Sequence, residues 1–395
     1  IGEAREGYGD HIVLTRYLDK SLEVQDFGRG IPMDYNENEK EYNWKLLFCE
    51  MYAGGKYDNN SSAGLYEFSL GLNGLGLCAT QYASEWMEAE VFKDGFQYNI
   101  KFKKGKPSGK LKKEEFSGRK TGTRIAWKPD LEVFTDNDIP LEYFQDILRR
   151  QATVNPNLLF VLRVQQGREF ITTDFRYENG ITDYVKELSG EETLTGVQYW
   201  ETSRKGRDRE DKPEYKVKMQ ISCCFSNRVK LLEYYHNSSH LEHGGAPEKA
   251  VKSAFVSQID AFLKQQGKYL KNESKITFQD VEDCLVLVSS SFSTQTSYEN
   301  QTKKSITNRF VQVAMTEFLK HDLEVYFIER PEEANRLCNQ VLVNMRSREQ
   351  AEKTRVAVKS NLTKQMDMAN RVAKFVDCRS RDLTKREVYI VEGDS

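Results

Sequence analysis

Asp26-Phe27-Gly28-Arg29-Gly30 places a carboxylate where a strand pattern gives way to a glycine-rich turn. A carboxylate fixed there can accept a hydrogen bond from an exocyclic amine such as adenine's. Gly28 and Gly30 would let the backbone come close to a flat ring. The bland alternative is an ordinary Asp-rich turn. Asp-Phe-Gly is also a protein-kinase signature, but a kinase needs a glycine-rich loop and a strand lysine before that motif, and a His-Arg-Asp loop besides. Here the glycine loop follows and His-Arg-Asp is absent, so the kinase reading fails.

That loop, Gly71-Leu72-Asn73-Gly74-Leu75-Gly76, offers several backbone N–H groups with no side chain in the way. A helix starting after it would aim its dipole at a phosphate. The spacing is not the dinucleotide G-x-G-x-x-G and no Walker lysine follows, and a glycine run in isolation is more often just a turn. Gly54-Gly55-Lys56-Tyr57 adds a glycine pair with a lysine, suited to a lid edge that touches phosphates. Lys120-Thr121-Gly122-Thr123 could set a hydroxyl beside Asp26 at a strand start. Gln301-Thr302-Lys303 lies in a polar loop after Tyr298-Glu299-Asn300. A lysine reaching a nucleotide from a separate domain would act as a point charge on the γ-phosphate, although a surface Gln-Thr-Lys is common.

The elements that must position these residues follow from periodicity. His11–Thr15 and Leu22–Gln25 read as strands joined at Asp19-Lys20, the second running into the Asp26 motif. Trp44, Leu47, Phe48 and Met51 sit at helical spacing over 43–53, with Gly54-Gly55 as exit. Leu75–Ala83 reads as a short helix, Glu88–Phe92 and Phe96–Phe102 as a hairpin about Asp94-Gly95, Thr123–Trp127 as a strand and Leu141–Asn155 as a helix. This is an α/β sandwich with mostly antiparallel neighbours rather than a doubly wound sheet. Turns at 165–168 and 177–180 mark a boundary. Beyond it, strands are expected at Tyr215–Phe225 and Cys284–Ser290, and helices at Glu248–Gln265 and Thr307–Leu319. One long basic helix should run from Pro331 to about Phe375, its bland reading a solvated face.

At 395 residues the chain is long enough for two cores. A net charge of -2 gives no global basic footprint for nucleic acid, so any such contact must be local. No apolar run approaches the roughly 20 residues needed to cross a bilayer. The seven scattered cysteines argue for a reducing compartment, without a disulfide framework or zinc site. His236, His240 and His243 fall in a Ser/Asn/Gly-rich stretch that reads as a flexible polar turn before a helix, in preference to a metal site.

Taken in order, and with the ending Glu392-Gly393-Asp394-Ser395, these motifs resemble the ATPase component of bacterial type IIA DNA topoisomerases: the gyrase B and topoisomerase IV ParE family, within the GHKL ATPases. The resemblance implies an α+β chain. A GHKL (Bergerat) α/β sandwich would occupy 1–165, and a β-α-β transducer domain with a long C-terminal helix 166–385. The start of a Mg²⁺-binding TOPRIM domain would follow at 386–395. It implies that Asp26 binds the adenine amine with Thr123 beside it, and that Gly30, Ile31 and Pro32 form the same turn. Lys56 and Tyr66 would line the lid, and Gly71, Leu72, Asn73, Gly74, Leu75 and Gly76 would wrap the phosphates. Gln301 and Lys303 would contact the γ-phosphate, and Glu3 and Arg29 would pair at the pocket rim. Glu392 would be a metal ligand for DNA cleavage, and Arg346, Arg348, Lys353, Arg355 and Lys359 would face duplex DNA.

ATP and Mg²⁺ are the implied cofactors. The implied partners are double-stranded DNA, a DNA-cleaving A-type subunit and a second copy of the chain joined through the ATPase domains. The implied setting is the bacterial cytoplasm at the nucleoid, with no membrane. The family's general-base Glu and Mg²⁺-binding Asn precede the stretch that Ile1–Ala4 resembles, so a fragment with weak or no turnover is expected. Gly2, Tyr52 and Asn73 depart from the family's usual Asp, His and His. MutL-type repair proteins and the superfamily's chaperone share the first two motifs but not the Glu-Gly-Asp-Ser ending. A degenerate, non-hydrolysing nucleotide-binding clamp is the alternative of another class.

Overall fold

The computed structural model describes residues 1–51, 74–371, 378–380, 382–390 and 392. A single turn, α1 (Gly2–Arg5), leads into the antiparallel pair β1 (His11–Arg16) and β2 (Leu22–Asp26), whose connecting turn puts Lys20 at a φ of 68°. A short ribbon, β3 (Tyr35–Asn36) and β4 (Glu41–Tyr42), precedes α2 (Asn43–Cys49). After α3 (Gly76–Tyr82) come β5 (Ser84–Lys93) and β6 (Phe96–Lys103). Their two-residue turn, Asp94-Gly95, has positive φ at both positions, as a hairpin that matches strand twist requires. Then follow β7 (Lys106–Pro107), β8 (Lys112–Glu115), β9 (Gly122–Pro129), α4 (Leu141–Val154), β10 (Leu159–Gln166) and β11 (Glu169–Phe175).

These strands make one nine-stranded sheet in the order β11-β10-β1-β2-β9-β5-β6-β7, with β8 on β6. β1 and β10 pair in parallel and the other neighbours are antiparallel, the mixed layer expected from the strand pattern. Phe144, Leu148 and Ala152 of α4 pack with Phe160 and Leu162 of β10. Phe48 of α2 packs with Met87, Ala89, Tyr98 and Ile100. The boundary expected near residue 165 falls inside the β10–β11 hairpin. Its turn at Gly167 folds β11 back onto β10, so the first sheet continues to Phe175.

The rest of the chain comprises α5 (Ile181–Ser189), β12 (Gln198–Gly206), β13 (Tyr215–Phe225), β14 (Leu231–His236), β15 (Ser239–His240), α6 (Ala246–Gln265), α7 (Phe278–Glu282), β16 (Leu285–Ser293), α8 (Arg309–Glu329) and α9 (Pro331–Arg371). A second sheet has the order β12-β13-β16-β14-β15, and β14 and β16 are parallel, joined by the crossover through α6 and α7. This is the expected β-α-β unit. β16 is buried along its whole length, and its first four residues alternate between two cores. Leu285 and Leu287 join the cluster of α6, α8 and α9, whereas Val286 and Val288 join Ile181, Tyr184 and Val185 of α5. A strand covered on both faces needs an unbroken apolar run, which Leu-Val-Leu-Val supplies.

Three expectations are corrected. α2 stops at Cys49, because Glu50 is already extended, instead of running to residue 53. α8 continues ten residues past Leu319, because Leu323, Tyr326 and Phe327 prolong its buried stripe. The stretch around His236–His243 is no flexible polar turn. His236, Asn237 and Ser238 are buried in the β14–β15 hairpin, and among the described residues no His/Cys/Asp/Glu group could hold a metal. The seven cysteines are all free thiols, and no helix among the described residues is long and apolar enough to cross a membrane.

α9 packs only through its first part: Ala334, Leu337, Cys338, Val341, Leu342 and Met345 are buried at helical spacing, whereas Val356, Val358 and Leu362 are exposed. Two ion pairs fasten the point of departure. The Arg346 guanidinium forks onto Glu273 at 2.7 and 3.2 Å, and Arg348 onto the buried Asp280 at 2.6 and 3.0 Å. Burial alone would raise the Asp280 carboxyl, but Arg348 and the Thr277 N–H and hydroxyl outweigh it and hold it low. A carboxyl lowered by folding contributes stability above its ordinary pKa of about 3.9, and that contribution is lost as pH falls through the lowered value. Arg348→Met should therefore cost about 2–3 kcal/mol in urea unfolding at pH 7, discounted for the half-exposed arginine. The gap to the unsubstituted protein should close in acid; a gap that does not change with pH would remove the ion pair as its cause.

Candidate functional site

β2 ends at Asp26, and the turn beyond it is shut in by glycines. A Cβ on Gly28 would stand 2.8 Å from the Glu3 Cβ and 3.1 Å from Asp26 Oδ1. One on Gly122 would stand 2.2 Å from the Asp26 carbonyl oxygen, and one on Gly30, whose φ is 82°, would stand 2.8 Å from the Phe92 carbonyl oxygen. Gly30 and Gly122 are thus required by the protein's own backbone and Gly28 by the Glu3 and Asp26 side chains, beyond any approach of a ligand ring. Gly122→Ala, with φ at 131° as well, is expected to destabilise the fold by about 2–4 kcal/mol. An unaltered melting temperature would contradict that.

Asp26 Oδ1 accepts the Gly28 N–H at 2.9 Å. Burial raises its carboxyl above the ordinary range, against the pull of the Gly28 and Thr123 N–H groups. The β2–β9 register pairs Gln25 with Arg124 and so brings Asp26 opposite Thr123. The Thr123 Oγ1 accepts the Ile31 N–H at 3.1 Å, fixing the chain just past Gly30. Ile31 packs against the core cluster that holds Met33 and Val91, and Pro32 is exposed. The structure therefore brings Asp26, Gly30, Ile31 and Thr123 together around one half-buried carboxylate.

α1 lies directly on this turn. Glu3 accepts from Arg29 Nε at 2.8 Å, from its Nη2 at 3.0 Å and from its backbone N–H at 3.2 Å, the ion pair expected at the rim. The Arg29 guanidinium also covers the Tyr8 ring at 4.0 Å. Gly74 has a φ of 59° and Gly76 opens α3, the helix start expected beyond the glycine motif. Leu75 is its N-cap. Lys56, Tyr66, Gly71, Leu72 and Asn73 lie outside the described residues.

Gln301 and Lys303 sit in the loop between β16 and α8. Lys303 has a left-handed φ of 59°, its N–H donates to the Asn300 carbonyl at 3.2 Å, and its Nζ stands 5.7 Å from the centre of the Tyr298 ring. Burial lowers the Lys303 ammonium. Of the basic residues proposed along α9, Arg346 and Arg348 are engaged with Glu273 and Asp280, and Arg355 pairs with Glu352 at 2.8 Å. Lys353 and Lys359 are exposed, as is Glu392. Sequence reasoning did not anticipate Arg5 and Ser238, which meet each other and Asn155 at the end of α4, nor Ser239, which bonds the Lys303 carbonyl. The signal was present: Leu-Leu-Glu-Tyr-Tyr-His followed by Asn237-Ser238 is a strand running into a two-residue turn.

The mixed sheet, the parallel crossover and the long helix form a fold shared with ATPase domains of gyrase B and topoisomerase IV. The DNA gyrase B family model matches residues 180–357. The chain is 29% identical over 399 residues to the DNA gyrase B protein of Thermotoga maritima, covering all of this chain and 60% of that protein. It is 29% identical over 402 residues to that of Treponema denticola, with the same coverage. It thus spans about 60% of the length of these relatives.

Among solved structures, the 43K ATPase domain of Thermus thermophilus gyrase B, in complex with an aminocoumarin, superposes with a TM-score of 0.62. The identity is 24%, over 90% of this chain and 88% of that one. The topoisomerase IV ATP-binding domain of Francisella tularensis, in complex with a small-molecule inhibitor, gives 0.65 at 22% identity, over 88% and 89%. The resemblance to the DNA gyrase B family read from the motifs is borne out along the full length of the chain.

Proposed function

We propose that this chain is the ATP-binding and ATP-hydrolysing gate of a type II DNA topoisomerase. The observation that carries the reading is the half-buried Asp26 carboxylate, held between the Gly28 N–H and Thr123 in a turn that side chains larger than glycine could not form. Such a group accepts from an exocyclic amine, while water has limited access to compete. Adenine would sit against this turn, and the triphosphate would run toward Gly74–Gly76 and the rest of the glycine loop, with Lys56 and Tyr66 in the lid. Lys303 would meet the γ-phosphate, with Gln301 beside it, and stabilise the charge that develops there on transfer to water.

Binding of ATP would join two copies through the ATPase domains, close the gate around a duplex and couple to strand passage by a DNA-cleaving A-type partner. Lys353 and Lys359, exposed on α9, would meet DNA phosphates; Arg355 would do so by exchanging its Glu352 partner. Arg346 and Arg348 would have to give up buried or part-buried carboxylates first, so their contribution to DNA contact would be smaller. Mg²⁺, with Glu392 as a ligand in a TOPRIM domain, rests on the family resemblance, as does a place in the bacterial cytoplasm at the nucleoid.

The test is ATP turnover per chain measured against protein concentration, with the chain extended upstream by the segment that carries the family's general-base Glu. A specific rate that climbs with concentration is expected, because dimerisation completes the gate. A rate independent of concentration would mean a monomeric ATPase, and no binding of ATP at all would end the proposal.

A further inference from the structure

A hairpin tip is ordinarily solvated, because its backbone groups need partners. The β14–β15 tip is instead buried, and protein groups supply those partners. Asn237 and Ser238 both have left-handed φ, 47° and 66°, which turns the chain back in two residues. His236 is wholly buried, with Nδ1 at 2.8 Å from Ser291 Oγ and Nε2 at 2.9 Å from Ser293 Oγ. Asn237 donates to the Ser293 carbonyl at 3.1 Å and accepts the Ser293 N–H at 3.0 Å. The tip is therefore rigidly held by β16.

From that base it reaches in two directions. Toward the first sheet, the Ser238 carbonyl accepts from Gln151 Nε2 at 3.0 Å, and its hydroxyl meets Asn155 Oδ1 at 3.4 Å and the Arg5 guanidinium. Arg5 Nε also donates to Asn155 Oδ1 at 2.9 Å, and the guanidinium lies 4.8 Å over the Phe292 ring of β16. Toward the polar loop, Ser239 Oγ donates to the Lys303 carbonyl at 3.2 Å, and the His243 N–H donates to the Lys304 carbonyl at 2.9 Å. Arg5 belongs to α1, whose Glu3 grips Arg29 in the Asp26 turn. One hydrogen-bonded path thus runs from the Asp26 turn through Glu3 and Arg5 to Ser238, and from Ser239 to the backbone of Lys303.

We propose that Arg5, Ser238 and Ser239 are positioning residues that set the Lys303 loop against the nucleotide-binding turn. The inference rests on the nucleotide-site reading above. Ser239 holds the one residue of the loop whose backbone is left-handed and whose ammonium is assigned to the γ-phosphate. Arg5 ties the tip that carries Ser239 to the helix lying on the base-binding turn. Loosening either link should leave adenine and the two inner phosphates bound but misplace the cation at the third.

The test is therefore selectivity, which needs no turnover. Affinities for ADP and for a non-hydrolysable β,γ-imido ATP analogue are measured by calorimetry on the unsubstituted chain and on Lys303→Ala, Ser239→Ala and Arg5→Met. The unsubstituted chain should prefer the triphosphate, and Lys303→Ala should abolish the preference. Ser239→Ala and Arg5→Met should each reduce it about three- to tenfold, the equivalent of a lost hydrogen bond, with ADP affinity unchanged. Combined with Lys303→Ala, neither should have a further effect on the ratio.

Two outcomes overturn the inference alone: a preference lost in Lys303→Ala but intact in both other variants, or ADP and triphosphate weakened equally, as a merely structural role predicts. A chain that binds neither nucleotide, or that shows no preference dependent on Lys303, overturns the nucleotide-site reading and this inference with it. Ser239→Ala, which removes one half-buried hydroxyl, keeps the test usable if Arg5→Met unfolds the protein.

Discussion

Lys303→Ala, in the chain extended upstream by the general-base segment, should lower ATP turnover by about 10²- to 10³-fold while ADP affinity stays within a few-fold of its starting value. The asymmetry follows from where the charge is needed. Transfer of the γ-phosphoryl group to water spreads negative charge over its outer oxygens, and a fixed cation there gains more in the transition state than in the ground state. The loop is built to hold such a cation: Lys303 is half-buried, burial lowers its ammonium, and its carbonyl and N–H are tied to Ser239 and Asn300. Desolvation of the ammonium makes its contact with a phosphate stronger than the same contact in water. Steady-state kinetics together with calorimetry decide the matter. Equal losses in kcat and in ADP affinity would show that the lysine supports the fold of the site and not the reaction.

Asp26→Asn should weaken binding of ATP and ADP alike, by about 10- to 100-fold, because a charge-assisted hydrogen bond to the base is replaced at best by a neutral one of unsuitable donor pattern. The side chain of asparagine can present an N–H to the adenine amine, two donors facing each other. The same carboxylate predicts a pH effect with a definite sign. Burial raises the Asp26 carboxyl, so it takes up its proton at a higher pH than an exposed aspartate would. Nucleotide affinity should be full above that raised value and decline as pH falls through it, earlier than the ordinary carboxylate range of about 3.9. The Asp26→Asn protein should lack that decline. Equal affinity at neutral pH in the two proteins would take Asp26 out of the site.

Much of the first sheet was legible from local pattern. The Asp94-Gly95 hairpin, the strand ending at Asp26 and the helix beginning beside Gly76 are each set within ten residues or so, by alternation, turn chemistry or the start of a helical stripe. α8 and α2 were located but mismeasured, since an apolar stripe says where a helix can pack and not where its partner surface ends. β14 escaped notice because Glu233 and His236 interrupt its apolar pattern. Both are buried all the same, satisfied by Tyr184, Tyr235 and the serines of β16. Polar residues inside a strand look like solvent contacts until the other strand is in place.

The basic residues of α9 teach the same lesson. Arg346, Arg348, Lys353, Arg355 and Lys359 are equivalent in the sequence, yet two of them are spent on carboxylates from the segment before β16, more than 60 residues earlier in the chain. By itself, the sequence determined which chemical groups this protein carries, in what order, and the local turns that present them. Only the tertiary structure decided which charges remain available to a ligand and how the Lys303 loop is tied to the Asp26 turn. Those depend on pairings such as Arg5 with Asn155 and Ser238, 150 and 233 residues apart, and no local periodicity encodes a contact made by chain segments so distant.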